Sequence, residues 1–288
     1  MLNILVSPAG NNPKAEKVAK SIVRFLKEQN EEYSVYFSMN YDLLMEDVRA
    51  LTNNGEFEFV LIGDDVLAHK FINGIKDLSK IKFGIIPVGD KLDFSRSLGL
   101  EMSAIKALKS VLNKKVSKID YLQVNDKRVL NSVVIGASVE TAIAYEQYKL
   151  KNFVSKRIAE IRHGEKFDGI YLNLNIKNES PIYADVFELI VANGSYNQDK
   201  IISPLSNMSD GLFNVCYSLA VSNKERKEFI KQEKGGNHIY NEELAQLWTN
   251  NIKITNQEKK IKTIIDGQYE VNEELIITMI EGGLKIYK

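Results

Sequence analysis

The residues richest in chemistry sit in two short loops. Phe59-Val60-Leu61-Ile62-Gly63-Asp64-Asp65 and Gly84-Ile85-Ile86-Pro87-Val88-Gly89-Asp90 each read as a buried strand running into a Gly-Asp turn. Turns of this kind are where α/β folds hold phosphates, because glycine lets backbone N–H groups approach an anion closely. Both loops also carry acids, Asp64 and Asp90, directly after the glycine. A carboxylate there repels a phosphate: two unit charges about 4 Å apart, at an effective dielectric near 20, oppose each other by about 4 kcal/mol. The loops therefore have the outline of an anion cradle and the wrong charge inside it.

The elements that position these loops come from periodicity. Residues 2–6 form an apolar run, and Ala15, Val18, Ala19, Ile22, Val23 and Leu26 then mark one face of a helix. Further strands are expected at 35–37, 57–62 and 83–88, with helices at 43–51, 67–75 and 104–112. That alternation predicts a parallel sheet covered on both faces, with ligands at the carboxyl ends of the strands. After Asp120 the pattern changes to strands at 121–124, 129–135, 170–176, 186–191, 212–219 and 261–265, interrupted by helical pieces at 150–161 and 242–248. The expected fold is α/β plus β: a parallel α/β nucleotide-type domain over residues 1–117, then a β-sandwich-like domain over 118–288.

Composition narrows the function classes. Lysine plus arginine and aspartate plus glutamate both number 38, and this neutral balance argues against a general nucleic-acid binder. The single cysteine, Cys216, excludes an internal disulfide and lies in an apolar run, as a buried inert thiol would. The opening residues lack the basic start and long apolar stretch of a signal peptide, and no apolar run approaches the roughly 20 residues that span a bilayer. The cytoplasm is the expected compartment, with contact at a membrane surface left open by residues 149–166. There Leu150, Phe153, Val154, Ile158 and Ile161 form an apolar helical face flanked by Lys149, Lys151, Lys156, Arg157 and Arg162. Such a helix more often buries its apolar face in its own domain.

Several motifs, in order along nearly the whole chain, resemble the diacylglycerol kinase-like lipid kinases. Ser7-Pro8-Ala9-Gly10-Asn11 is similar to that family's opening N-P-x-S-G loop. Residues 62–75, ending Phe71-Ile72-Asn73-Gly74-Ile75, align on its G-G-D-G-T segment, and 84–100 on its G-T-G-N-D segment. Ile119-Asp120, Asn131, Ile135-Gly136, Val191-Ala192-Asn193-Gly194, Pro204, Asp210-Gly211-Leu212 and Ile265-Asp266-Gly267 match later landmarks. The resemblance implies ATP and Mg2+ as cofactors where the protein is active. It further implies a lipid or other small molecule in a cleft between the domains, and it is compatible with a homodimer. Nucleotide contacts would fall on Ser7, Pro8, Gly10, Asn11, Gly63, Asp64, Val66, Gly89 and Asp90.

The departures from the family pattern bear on activity. Gly63-Asp64-Asp65-Val66-Leu67 keeps the first glycine and the central acid, Asp65, of the family loop. A left-handed backbone at β-branched Val66 would cost roughly 1–2 kcal/mol or more. Gly89-Asp90-Lys91-Leu92-Asp93 has lost the threonine and asparagine donors, and Lys91 reads more readily as a solvated loop residue than as a phosphate ligand. The family's catalytic base lies in D-G-E near the C-terminus, whereas this chain has Asp266-Gly267-Gln268. An amide accepts no proton at neutral pH, and losing a positioned base typically costs 10² to 10⁴ in rate.

The acids Asp65, Asp93, Asp120 and Asp210 are retained, at positions where family members build a magnesium and water network. Helix capping, turn bonding and bracing of the domain junction form the plainer reading. His69 and His238 lack a second ligand at metal spacing and read as structural or surface residues. Three functional expectations follow. The favoured one is a family member with impaired or lost phosphate transfer, serving a binding or regulatory role. The alternative is an active ATP-dependent lipid kinase acting on a diacylglycerol-like or sphingoid hydroxyl. A NAD-kinase-like enzyme is the third, disfavoured by Ile119-Asp120 and Asp210-Gly211.

Overall fold

The computed structural model describes residues 1–8, 10–177, 179–197, 200–219, 222–233, 235–240, 244–257 and 259–288. They form two compact units, Met1–Tyr121 with Ile280–Lys288, and Leu122–Met279.

In the first unit the chain runs β1 (Leu2–Val6), α1 (Pro13–Glu28), β2 (Tyr33–Phe37), α2 (Tyr41–Asn53), β3 (Glu58–Gly63), α3 (Asp65–Gly74), β4 (Lys82–Pro87), α4 (Asp93–Ser97), α5 (Ala104–Leu112) and into β5 (Val116–Val124). The strands pair in parallel in the order β4-β3-β1-β2, with Ile4 opposite both Val35 and Val60 and Val60 opposite Gly84. Helix α1 starts on Pro13, whose missing N–H costs nothing at a helix start, and buries Ala15, Ala19, Ile22 and Leu26. Gly84 is dictated by packing: a Cβ there would lie 2.3 Å from Val111 of α5. Parallel alignment brings the carboxyl ends of β1, β3 and β4 side by side, and their three loops meet there.

The second unit contains β6 (Lys127–Val129), β7 (Ser132–Gly136), α6 (Ala137–Glu146), α7 (Phe153–Ala159) continuing as a π-helical turn (Glu160–Gly164), β8 (Ile170–Ile176) and β9 (Ile182–Ala192). A small ribbon, β10 (Tyr196–Asn197) and β11 (Lys200–Ile201), precedes β12 (Phe213–Leu219), α8 (Asn223–Glu233) and a 3-10 turn (Asn237–Tyr240). Then come β13 (Leu244–Thr249), β14 (Asn251–Thr255), β15 (Ile261–Ile265), β16 (Gln268–Asn272) and β17 (Glu274–Tyr287). These strands pair antiparallel along the path β16-β15-β7-β9-β8-β14-β17, with β12 and β13 branching from β9. Leu172, Val186, Leu189, Phe213, Ile252, Ile265 and Ile277 are among the side chains buried in its main core. The parallel α/β unit and the β-rich unit together confirm the fold class read from the sequence.

Some expectations need correction. The helix expected at 242–248 is a strand from Leu244 onward, paired from Ser218↔Leu244 to Phe213↔Thr249 on β12; Glu242 lies outside the described residues. Its apolar residues satisfy helical and strand spacing alike, and partnership with β12 decides between them. Helices α6 and α8 stand where the sequence reading placed none. The stretch 129–135 is broken after Val129, where β6 ends. Ile280–Lys288 belongs to the first unit, because β17 runs on until Ile286 pairs in parallel with Phe83 of β4. Cys216 is buried, as is His238, whose Nε2 lies 2.9 Å from the Ile202 carbonyl oxygen.

Candidate functional site

The first of the three loops follows β1. Ser7 is buried and donates its N–H to the Ile62 carbonyl at 3.0 Å, and the Pro8 carbonyl accepts from Asn11 and Asn12, both at 2.9 Å. Ala9, within the sequence motif, lies outside the described residues. Gly10 has open space where a Cβ would point, so no close packing demands glycine there. The Asn12 side chain reaches across to the Val88 carbonyl at 2.5 Å, binding the first loop to the third.

The second loop carries the decisive residue. Gly63 is required by contact, since a Cβ would lie 2.1 Å from Ser7 Oγ. Asp64 is the N-cap of α3, and its carboxylate accepts from the Leu67 N–H at 3.4 Å, the long end of hydrogen bonding. Burial pushes the Asp64 carboxyl up, while the backbone N–H groups of Leu67 and Val66 and the charge of Lys91 act in the opposite sense. Tyr41 is also raised, first by burial and then by the Asp64 carboxylate beside it, with the Ser7 hydroxyl pulling it down. Val66 lies within α3 and is absent from the residues of positive φ, so the left-handed strain expected there does not arise. The loop has become an ordinary capped helix start.

Asp65 ties the second loop to the third. Its N–H donates to the Lys91 carbonyl at 2.9 Å, and its Oδ2 accepts from the Phe94 N–H at 2.9 Å, at the start of α4. Gly89 has φ +133°, a conformation that favours glycine, and a Cβ there would lie 2.8 Å from Asn12 Nδ2 and 3.0 Å from Asp64 Cβ. Asp90 is exposed and pairs with Lys14 at 3.3 Å, a contact worth little in water. Asp93 opens α4, and Leu92 before it is buried. A groove of about 610 Å3 opens beside Ser7, lined by Val6, Val23, Val35, Phe37 and Ser38 and by the ion-paired Glu16 and Lys20.

The remaining site residues lie elsewhere. Asp120 is buried in the first unit and accepts from the Gly282 N–H at 2.7 Å. Asp210, in the second unit, is exposed and accepts from the Leu212 N–H at 3.0 Å. Gln268 opens β16 after a turn in which Asp266 and Gly267 have φ +44° and +76°. Among the described residues, its buried Nε2 has no hydrogen-bond partner. Asp266 holds this turn: its carboxylate accepts from the N–H groups of Leu130, Asn131 and Ser132 at 2.7, 2.8 and 3.2 Å. Among the described residues, no three His, Cys, Asp or Glu side chains form a group that could hold a metal ion.

Sequence reasoning missed Asn12 and Tyr41. The Pro13 that follows marked Asn12 as a helix entry, whereas Tyr41 gave no signal. Asp266 appeared there only as a landmark.

What this arrangement can do turns on one set of donors. The N-terminal amides of α3 are the natural seat for a phosphate, and the Asp64 carboxylate already faces them. An ionised Asp64 and a phosphate compete for the same place, and the acids Asp65, Asp90 and Asp93 in and beside these loops add further negative charge. The residues present do not fit a phosphate at this helix end while Asp64 is charged, and among the described residues the acids do not form a metal cage.

The first unit is thus a parallel α/β domain whose three loops converge at the carboxyl ends of its strands, and the second unit is β-rich. Residues 1–124 match the diacylglycerol kinase catalytic domain. The chain is 25% identical over 224 residues to a diacylglycerol kinase of Bacillus subtilis (strain 168), spanning 74% of this chain and 72% of that one. It is 23% identical over 273 residues to a diacylglycerol kinase of Staphylococcus carnosus (strain TM300), spanning 92% and 88%. A crystal structure of a diacylglycerol kinase from Bacillus anthracis str. Sterne has the same fold, with TM-score 0.75 and 15% identity over 99% of this chain and 96% of that one. The match to the diacylglycerol kinase catalytic domain covers residues 1–124, and over most of its length the chain is similar to these diacylglycerol kinases.

Proposed function

We propose that this chain is a family member that transfers phosphate inefficiently or not at all, and acts by binding a lipid or other small molecule in a regulatory role. The observation that carries this reading is the Asp64 carboxylate on the α3 amides, where it excludes the anion those amides would otherwise attract. Gln268 supports it, because an amide in the position aligned with the family base removes no proton from an acceptor hydroxyl. The groove beside Ser7, mostly apolar and within the size range of small-molecule sites, offers binding without phosphate chemistry.

The second reading is an active ATP-dependent kinase for a diacylglycerol-like or sphingoid hydroxyl. Close approach at Gly63 and Gly89 favours it, since both glycines keep the loop backbones near one another. Calorimetric titration with ATP and magnesium separates the two. The binding reading expects no heat of binding at millimolar ATP, and micromolar affinity would overturn it in favour of the kinase.

A further inference from the structure

Strand β2 ends the parallel sheet of the first unit, and its outer edge is open. Leu2 donates its N–H to the Glu32 carbonyl at 3.0 Å, and parallel pairing engages every second residue of a strand. Ser34 and Tyr36 therefore bond β1, which leaves the N–H and C=O groups of Tyr33, Val35 and Phe37 facing outward. Among the described residues, no other strand pairs with them.

Native edges are normally blunted by charged side chains, proline or a bulge, because an open edge templates pairing with another chain. Tyr33-Ser34-Val35-Tyr36-Phe37 has no charge and no proline, and its register with β1 is regular from Leu2↔Tyr33 to Val6↔Phe37. Beside this edge runs the mostly apolar groove of the first unit. Val35 and Phe37 line it on the strand side, and Glu16, Lys20 and Val23 of α1 line it on the other. Phe37 is 56% exposed, and Met39 just beyond the strand is 88% exposed. Free edge backbone next to such a groove is how strand addition recognises extended peptides. Main-chain bonds hold the added strand, and its alternate side chains fill the groove.

Charge sets the direction. Glu31 and Glu32 stand exposed at the amino end of β2 and form no ion pair among the described residues. An antiparallel peptide ends beside them, so basic residues at its carboxyl end meet both. A second β2 fits less well. Paired antiparallel about Val35, it sets Glu32 opposite Ser38 and Glu31 opposite Met39, and neither is a cation.

We infer that the β2 edge binds an extended segment of a partner protein. The segment runs antiparallel, with apolar side chains at alternate positions over the groove and basic residues beside Glu31 and Glu32. This goes beyond small-molecule binding in the groove, because it needs the edge backbone, which a small ligand leaves untouched.

The probe is the fluorescein-labelled peptide valine-threonine-valine-threonine-valine-lysine-lysine, titrated with the full chain by fluorescence anisotropy. A version ending in two glutamates is the control. The lysine peptide should bind between about twofold and thirtyfold more tightly, the range for two exposed ion pairs. Glu31→Lys with Glu32→Lys should reverse that preference. Val35→Pro removes an outward N–H and spares the bonds to β1, so it should weaken the lysine peptide at least about tenfold.

Phe37→Ser, at an exposed position, should weaken it as well and serves where circular dichroism shows Val35→Pro misfolded. Amide exchange at Val35 and Phe37 should slow when the peptide binds. Failure of the parent to bind either peptide, equal affinity for both, or affinity unchanged by Val35→Pro and Phe37→Ser overturns the inference. So does concentration-dependent dimerisation that Val35→Pro abolishes without any peptide binding, which would assign the edge to a second copy.

Discussion

Asp64→Asn isolates charge from shape at the candidate phosphate site. Asparagine caps helices about as well as aspartate, so the bond to the Leu67 N–H has a replacement and α3 keeps its start. What disappears is one negative charge facing the amides. Unit charges about 4 Å apart at an effective dielectric near 20 repel by about 4 kcal/mol, close to a thousandfold in affinity. Asp64 is only half-buried, so water screens part of this, and a gain between about tenfold and a thousandfold for Mg-ATP is expected by calorimetry.

Stability gives an independent check on the same substitution. The carboxyl of Asp64 is raised in the folded protein, so the folded state holds that proton more tightly than the unfolded chain does. The parent therefore loses stability as pH rises from the unfolded carboxyl value through the raised folded value, and regains it as pH falls. The variant cannot titrate there, so its advantage in denaturant midpoint should shrink toward acid pH. Identical Mg-ATP binding by parent and variant, with the fold intact, would refute the claim that Asp64 is the obstacle.

Other substitutions test other parts of the argument. Gln268→Glu alone should yield no measurable lipid phosphorylation in a radiolabelled ATP assay, because Asp64 still faces the α3 amides; robust turnover would contradict this account. Asp266→Ala removes a carboxylate that accepts three backbone N–H groups and should cost about 2–3 kcal/mol in urea unfolding. Gly63→Ala drives a Cβ to 2.1 Å from Ser7 Oγ and should cost about 1–3 kcal/mol by overpacking, whereas Gly10→Ala, with open space around it, should leave the midpoint nearly unchanged.

By itself the sequence determined the parallel α/β unit, because its buried strands and one-sided helices carry distinct periods over short distances. It also carried the likeness to the diacylglycerol kinases, through an ordered set of glycines and acids, and it identified the loops where charge opposes an anion. The fate of each acid needed the tertiary structure. Asp64 caps α3, Asp65 binds the start of α4, Asp120 binds Gly282 and Asp210 binds its own turn, since a carboxylate accepts from whichever N–H group the fold brings near. Residues 244–249 became a strand because β12 offered an unpaired edge, a partner far away in sequence. The exposure of Phe153 and Val154 on α7, where burial was expected, was equally hidden, for periodicity shows that a helix has two faces, and only packing chooses which one meets water.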